Sequence, residues 1–274
     1  MLRIALCVLR ARLAAGATNM IRRASFFLAV ALCLLTVMPD GALAAGSAYQ
    51  VDTAEVAEPG RCKVETWASF ASNRDFIGAL SPACVVEIAR PIEVSTQFNR
   101  ARIDGEWVSG ATPKLKTNLV PTAIGAWGFA MSGQATWDLL TGNNAALAVT
   151  VPATLRLSNV LRINLNGGWF RDRTVVRDFT SYGAGFDWRT PDNMWTLTGE
   201  VFGLVGLTHV APPPQDLSDP ASPGLSSSSG TQRPRFQTGI RFRPVDSFSV
   251  DLIYGRNLIG ENANWITAAM VVRW

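Results

Sequence analysis

The amino-acid sequence predicts an all-β protein, a transmembrane up-and-down antiparallel β-barrel of about twelve strands with both termini on the periplasmic side. Three observations support this prediction. Apolar and polar side chains alternate with a period of two in many short segments, as in strands whose two faces meet different surroundings. Only 17% of the residues are charged, against about 25% in an ordinary soluble domain. After residue 44, no apolar run approaches the roughly 18 residues of a membrane-spanning helix.

Residues 1–44 have the composition of a leader and secretory signal peptide. Two arginines at positions 22 and 23 precede an apolar run over residues 24–38, and a small-residue sequence ends at Ala44. We therefore expect cleavage after Ala44, because an uncleaved anchor would need about 20 apolar residues. The leader carries five arginines and one aspartate, so its removal takes the formal charge from +4 to about zero. The basic composition thus gives no reason to expect nucleic acid as a partner.

The remaining chain divides into a short segment and a barrel. Residues 45–61 do not alternate, and we expect a periplasmic N-terminal segment that lies across the barrel mouth. Residues 62–274 contain twelve alternating segments separated by turn-forming residues. These segments are 62–72, 83–89, 92–102, 112–120, 124–138, 145–157, 160–171, 181–189, 194–207, 234–243, 247–257 and 265–274.

The connections between these segments alternate in length. Those after the even-numbered segments are short, and those after the odd-numbered segments are longer, except for "TGNN". Short periplasmic turns and longer outer loops are typical of outer-membrane barrels. The longest connection, over residues 208–233, is rich in proline and serine, and we interpret it as a surface loop or a lid.

The last segment defines which face meets lipid. Ile266, Ala268, Met270, Val272 and Trp274 form one wholly apolar face, which we expect to contact hydrocarbon. A soluble barrel would point this face inward, but its polar face would then carry more charge. Aromatic residues near the predicted strand ends suit two interfacial girdles. They are Trp127, Trp169, Trp188, Trp195, Trp265, Trp274, Tyr182 and Tyr254.

The C-terminal strand resembles the recognition signal of outer-membrane proteins, which ends in Phe or Trp with apolar residues at every second position. This resemblance implies an outer-membrane location in a Gram-negative bacterium and recognition by the barrel-assembly machinery. The stretch "YGRNLIGENANWITAAMVVRW" and the layout of the turns are similar to the outer-membrane family named for the meta-pathway of phenol degradation. That resemblance implies a transporter and leaves its cargo open.

The polar faces of the strands carry both signs of charge. The charged candidates for lining the lumen are Glu65, Glu87, Glu93, Lys114, Lys116, Arg156, Arg162, Asp187, Arg189, Glu200, Arg235, Arg241, Arg243 and Asp251. These groups could set up a transverse field across a narrow channel that allows passive uptake of small solutes. They could equally form a salt-bridged plug in a structural or adhesive barrel without transport. Twelve strands lie between filled eight-stranded and open 16–18-stranded barrels, so both interpretations stand.

Cys62 and Cys84 follow the predicted cleavage site, and a disulfide is the usual state of such a pair after export. A hairpin with its loop at 73–82 would, however, place Cys84 about five residues from the position opposite Cys62. That separation exceeds the reach of a disulfide, whose Cα atoms lie within about 7 Å. The sequence leaves this pairing open.

No catalytic, cofactor or metal site is predicted. The single histidine, His209, lies in the long loop, and no G-x-S-x-G stretch, metal-ligand spacing or phosphate-binding loop occurs. The expected partners are outer-membrane lipid, lipopolysaccharide and small-molecule solutes. Arginines near the predicted outer rim would bind lipid phosphates, or would be solvated loop charges. They are Arg74, Arg100, Arg102, Arg171, Arg173, Arg177, Arg233 and Arg256.

Overall fold

Twelve strands form one closed antiparallel barrel in the computed structural model, which describes residues 48–174, 176–206, 234–259 and 263–274. The strands are β1 (Cys62–Ala71), β2 (Phe76–Glu87), β3 (Pro91–Ile103), β4 (Glu106–Val120), β5 (Trp127–Asp138), β6 (Asn144–Arg156), β7 (Leu161–Asp172), β8 (Arg177–Arg189), β9 (Trp195–Gly206), β10 (Arg235–Val245), β11 (Phe248–Asn257) and β12 (Asn264–Arg273). Among the described residues, no helix combines the length and apolar composition that a bilayer crossing needs.

Every strand pairs with its neighbours in sequence, and the first strand pairs with the last. The β1–β12 register runs from Lys63 opposite Arg273 to Ala71 opposite Trp265. Cys62 and Trp274 extend this ladder, since the backbone N–H of each donates to the carbonyl of the other at 3.0 Å. The up-and-down order and the even strand number place both ends of the barrel sequence on the same side.

The barrel exposes apolar side chains on its outer wall and buries polar side chains inside, which is the reverse of the arrangement in a soluble protein. Leu252 is 62% exposed on the outer wall, whereas its neighbour Asp251 is 5% exposed inside the barrel. The same alternation repeats around the barrel, so the outer surface is apolar and the interior is largely polar. Soluble domains bury apolar groups instead. A polar interior and an apolar outer band characterise transmembrane barrels, and the predicted fold class is confirmed.

The final strand has the predicted orientation, with one exception among its aromatic residues. Ile266, Met270, Val272 and Trp274 are exposed on the outer wall. Trp265, which we expected in an interfacial girdle, is only 1% exposed and faces the interior. Its ring lies against Gly255, its direct partner on β11, because glycine has no side chain to fill that space.

The predicted alternation of short and long connections is wrong for the described part of the barrel. The connections there have two to six residues at both ends. Between β3 and β4, Asp104 and Gly105 form a two-residue turn with φ of 51° and 88°. Positive φ at both positions is the geometry of tight type I′ hairpins. The long connection of residues 208–233, together with His209 and Arg233, lies outside the described residues.

The loop predicted at 73–82 is a turn of residues 72–75 followed by strand β2. Gly78 and Pro82 are residue types that are uncommon inside strands, but both lie within β2. Pro82 is accommodated because the β2–β3 pairing passes from Leu80 to Ala83 without it, and proline has no N–H to donate. The shorter turn brings Cys62 directly opposite Cys84, and the two form a disulfide with Cα atoms 4.1 Å apart.

Candidate functional site: the barrel lumen

Residues 48–56, here called the inner segment, lie inside the barrel. We expected this part of the chain across the barrel mouth, but its central residues Thr53, Ala54 and Glu55 are at most 1% exposed. The segment has no strand pairing of its own. Its position is therefore set by side chains that reach it from the surrounding strands.

One side of the lumen binds Asp52 of the inner segment through two lysines. Lys114 and Lys116 both point inward, because they are two residues apart on β4. Lys114 Nζ donates to Asp52 Oδ2 and Lys116 Nζ donates to Asp52 Oδ1, each at 2.7 Å. Each oxygen of this carboxylate therefore has its own ammonium group. We call Lys114 and Lys116 the lysine pair.

Two arginines bind Glu55 in the same way. Arg156 on β6 is the direct partner of Arg162 on β7, so two like charges face each other across the ladder. Such an arrangement is unfavourable unless an anion lies between the two groups. Arg156 Nε donates to Glu55 Oε1 at 2.7 Å, and Arg162 Nη1 donates to Glu55 Oε2 at 2.6 Å. We call Arg156 and Arg162 the arginine pair.

The opposite side of the lumen holds the inner segment through acidic side chains. Glu200 on β9 accepts the backbone N–H groups of Gln50 and Val51 at 2.7 and 3.1 Å. Gln237 Nε2 also donates to Glu200, at 2.5 Å. Glu65 on β1 accepts the N–H of Ala48 at 3.2 Å. These carboxylates satisfy backbone donors that would otherwise be buried without a partner.

Tyr49 and Val51 pack against the barrel wall at two positions that are occupied by glycine. The Tyr49 hydroxyl donates to Asp251 Oδ1 at 3.1 Å, and the Arg241 guanidinium lies 5.5 Å from the centre of its ring. A Cβ added to Gly239 would lie 2.6 Å from the Tyr49 hydroxyl. A Cβ added to Gly183 would lie 2.9 Å from Val51 Cγ2. Both distances are shorter than van der Waals contact, so these glycines make room for the inner segment.

The charged residues predicted from the strand faces occupy the following positions. Buried in the barrel interior are Glu65, Glu93, Lys116, Arg162, Asp187, Glu200, Arg235, Arg241 and Asp251. Half-buried on the inward phase of their strands are Lys114, Arg156, Arg189 and Arg243, whereas Glu87 is exposed at the end of β2. Several are paired with one another, as Arg162 Nε is with Asp187 Oδ2 at 2.6 Å and Arg241 Nε is with Asp251 Oδ1 at 2.8 Å.

A cavity of about 240 Å³ remains beside the inner segment. Its lining includes Asp52, Lys63, Glu65, Glu93 and Lys114, so both signs of charge face it. Lys63 Nζ lies 3.5 Å from Glu93 Oε2 across this space. The lumen is therefore narrowed by the segment but is not completely filled.

Sequence reasoning missed the inner segment as part of the site. Tyr49, Asp52 and Glu55 lie in a stretch without alternation, where no local pattern indicates a position inside the barrel. The signal was indirect, because the lysine pair and the arginine pair place four inward-facing cations within four consecutive strands, β4 to β7. Such a group requires anions from elsewhere in the chain.

The described residues contain no group of three or more His, Cys, Asp or Glu side chains that could hold a metal ion. Several of the charged groups in the lumen contact the inner segment or one another. The chemistry that this arrangement offers is recognition of charge, which depends on the sign and the spacing of ionic groups.

Comparison with known proteins gives one family match and a set of similar folds. A family model described as "Uncharacterised conserved protein UCP029691" matches residues 33–216 and 221–274. No curated protein matches the chain.

Three solved outer-membrane proteins share the fold. The KdgM porin in complex with disordered oligogalacturonate is 7% identical, with a TM-score of 0.56 over 77% of this chain and 98% of that one. The NanC porin is 6% identical, with a TM-score of 0.56 over 76% of this chain and 98% of its own. The COG4313 outer membrane channel from Pseudomonas putida F1 is 13% identical, with a TM-score of 0.53 over 80% of this chain and all (100%) of that one. These similarities show the fold.

Proposed function

This chain belongs to the family described as "Uncharacterised conserved protein UCP029691", and from the geometry of its lumen we propose that it is an outer-membrane channel for passive uptake of small solutes. The observation that carries this proposal is a closed barrel with an apolar outer wall and a charged interior that retains a cavity of about 240 Å³. Interiors lined by charges of both signs select solutes by size and charge.

The proposal includes the cellular location and the route to it. We propose that residues 1–44 are removed after Ala44 and that the barrel lies in the outer membrane of a Gram-negative bacterium. The fold shared with porins and channels supports this location. The C-terminal strand, which ends on the exposed Trp274, is the part that we expect the barrel-assembly machinery to recognise. In line with the same fold, we propose a transporter rather than an enzyme, and the resemblance to the meta-pathway phenol degradation family remains an expectation.

The second candidate is a structural or adhesive barrel without transport. The inner segment favours it, because ion pairs and glycine contacts hold that segment on both sides of the lumen. The two candidates differ in whether the segment can move aside. In the channel, the segment restricts the lumen and its removal widens the path. In the structural barrel, the segment stabilises a lumen that nothing crosses.

Planar-bilayer recording separates the two candidates. We expect the intact refolded protein to show small conductance steps and a variant lacking residues 48–56 to show larger ones. None of the strand pairings includes the segment, so we expect the variant to keep the closed barrel. Absence of steps from both proteins, with strand content verified by circular dichroism, would favour the structural barrel. Liposome swelling with sugars, amino acids, organic acids and phenolics would then define the solutes.

We also propose that exposed arginines near the outer rim contact lipopolysaccharide. Arg74, Arg100, Arg173 and Arg256 are exposed, and the Arg100 guanidinium lies 4.9 Å from the centre of the Trp107 ring. Arg177 is buried beside Phe179, so it is removed from the rim group. Replacement of Arg74, Arg100 and Arg173 by serine should reduce the lipopolysaccharide that co-purifies with the protein. Unchanged retention would contradict this contact.

A further inference from the structure

We propose that the lumen contains a binding site for solutes with two carboxylate groups, formed by the lysine pair and the arginine pair. In the structure, Asp52 and Glu55 of the inner segment occupy this site as a tethered ligand. A bound solute would take the place of residues 52–55 of the inner segment. The biological role of such binding rests on the proposed channel function. The binding itself is a separate property and can be measured without any transport.

The contacts of the two acidic residues are those that a free carboxylate would make. Each oxygen of Asp52 accepts from one lysine, and each oxygen of Glu55 accepts from one arginine, with all four distances between 2.6 and 2.7 Å. Charge-assisted hydrogen bonds of this length are among the strongest in proteins. None of these four contacts involves the backbone of the inner segment, so a solute could reproduce all of them.

The wall alone does not balance these cations. The arginine pair faces itself across the β6–β7 ladder, and Asp187 contacts only its Arg162 member. Near the lysine pair, Glu93 lies opposite Lys116 in the β3–β4 register but also contacts Lys63 at 3.5 Å, so one wall carboxylate is shared among several cations. Buried cations without counter-ions are strongly unfavourable. When Asp52 and Glu55 move away, the site therefore favours an anion over water.

The spacing of the two acidic residues indicates two carboxylates on one molecule. They are three residues apart, so their Cα atoms can lie at most about 10 Å from each other. This bound applies to the backbone, and the two carboxylates can be closer together or further apart, so a series of linear dicarboxylates of increasing chain length is the appropriate set of candidate solutes. A monocarboxylate would replace only one of the two acidic groups and would leave the other in place.

The cavity beside the inner segment gives a solute access to the site. Asp52 and Lys114 both line this cavity, so a solute can approach the lysine pair while the segment is still bound. The other half of the segment is held independently on the opposite wall, where Tyr49 contacts Asp251 and Val51 contacts Glu200. Displacement of residues 52–55 would break the ion pairs of Asp52 and Glu55 and the hydrogen bond from the Ala54 N–H to Thr154, and would leave the contacts of Tyr49 and Val51 in place.

Calorimetric titration of the full-length protein in detergent tests the site directly. The probes are linear dicarboxylates from succinate to suberate. In the double variant Asp52→Asn/Glu55→Gln, the tethered carboxylates are neutral and no longer compete. We expect it to bind at least one probe about tenfold more tightly than wild type does, and to ignore the neutral succinamide. Adding Lys114→Gln and Lys116→Gln should abolish this binding.

A second measurement covers the case in which the double variant does not fold. Thr53 is fully buried in the inner segment. In a Thr53→Cys protein, saturating dicarboxylate should increase the rate of labelling by a thiol reagent severalfold, while acetate and succinamide should not. Equal affinity of wild type and the double variant, or binding that survives loss of the lysine pair, would overturn the proposal. So would an unchanged labelling rate.

The outcomes for binding and for transport are distinguishable. A protein that binds dicarboxylates but shows no conductance in either form retains the site and loses the proposed channel function. A protein that conducts after deletion of residues 48–56 but never binds a dicarboxylate retains the channel and loses the site.

Discussion

Val51 shows how a single residue fixes the inner segment within the lumen. Its N–H donates to Glu200, and its side chain lies against Gly183 on β8, where a Cβ would be 2.9 Å from Val51 Cγ2. Gly183 has an ordinary strand backbone conformation that any residue could adopt. The position therefore needs glycine for the close approach of Val51 and not for its backbone angles. One missing methyl group therefore decides whether the segment fits.

Gly183→Ala should displace the inner segment without breaking the barrel. We expect the free energy of unfolding to fall by about 1–3 kcal/mol, the usual cost of one extra methyl group in a tightly packed interior. A folded barrel migrates faster in electrophoresis than its heat-unfolded form. The temperature at which half of the protein has lost this faster migration would measure the change. Gly167→Ala is the matched control, since a Cβ there has no neighbour within 4 Å. Equal midpoints for the two variants would contradict the packing argument.

The disulfide makes a second prediction at the level of single residues. Cys62 and Cys84 lie 22 residues apart in sequence, and closing a loop of this length contributes about 3 kcal/mol in the chain-entropy model. Reduction should therefore lower the thermal midpoint of the wild-type barrel. Thiol alkylation should label the mature protein, which lacks Cys7 and Cys33 of the leader, only after reductant is added. A Cys62→Ser/Cys84→Ser protein should have the lower midpoint with or without reductant, and any further response to reductant would argue against the bridge.

At the level of elements, the strands were predictable and the connections were not. Alternation is a local property, so β12 and its outward apolar face could be predicted from ten residues. The length of a turn depends on whether the prolines and glycines beside it can be accommodated in the strands. Pro82 can be accommodated in β2 because the β2–β3 pairing omits it. The inner segment is determined by partners such as Thr154, which accepts the N–H of Ala54 from 100 positions away at 2.8 Å. No local pattern encodes such a contact.

Trp274→Ala tests the role proposed for the C-terminal element. The residue is 51% exposed at the end of the β1–β12 ladder, and the hydrogen bonds that it makes with Cys62 there are backbone bonds, which alanine would retain. We expect several-fold less protein in the outer membrane of cells, because recognition by the assembly machinery is weakened. Refolding of the purified chain into detergent should be unchanged. Trp188→Ala, which removes an exposed tryptophan from β8, is the control and should leave the cellular level unaltered.

At the level of the whole molecule, the inner segment divides the lumen by charge. Its carboxylates face the cations of β4, β6 and β7, and its backbone donors face the acids of β1 and β9. The transverse field inferred from the sequence remains a prediction, and the structure adds that Asp52 and Glu55 of the inner segment contact the lysine pair and the arginine pair. The charged residues that face the lumen could be identified from the alternation of inward and outward residues along each strand. The contacts of Asp52 and Glu55 with these charges could not be predicted in this way.

Deleting residues 48–56 should make the channel more selective for anions. The deletion removes Asp52 and Glu55 and leaves the lysine and arginine pairs facing the lumen. A cation-lined passage raises the local concentration of anions. The reversal potential in a potassium chloride gradient should therefore shift towards that of chloride, and Lys114→Gln/Lys116→Gln in the same background should move it back. A cation-selective deletion variant would be incompatible with this charge distribution.

The seam between β1 and β12 restricts how copies of the protein can associate. Because the ladder is continuous around the whole ring, none of the twelve strands that the structure describes offers a free row of backbone donors and acceptors to a neighbour. Association through the described barrel wall would therefore use the side chains on its outer surface and not the pairing of strands.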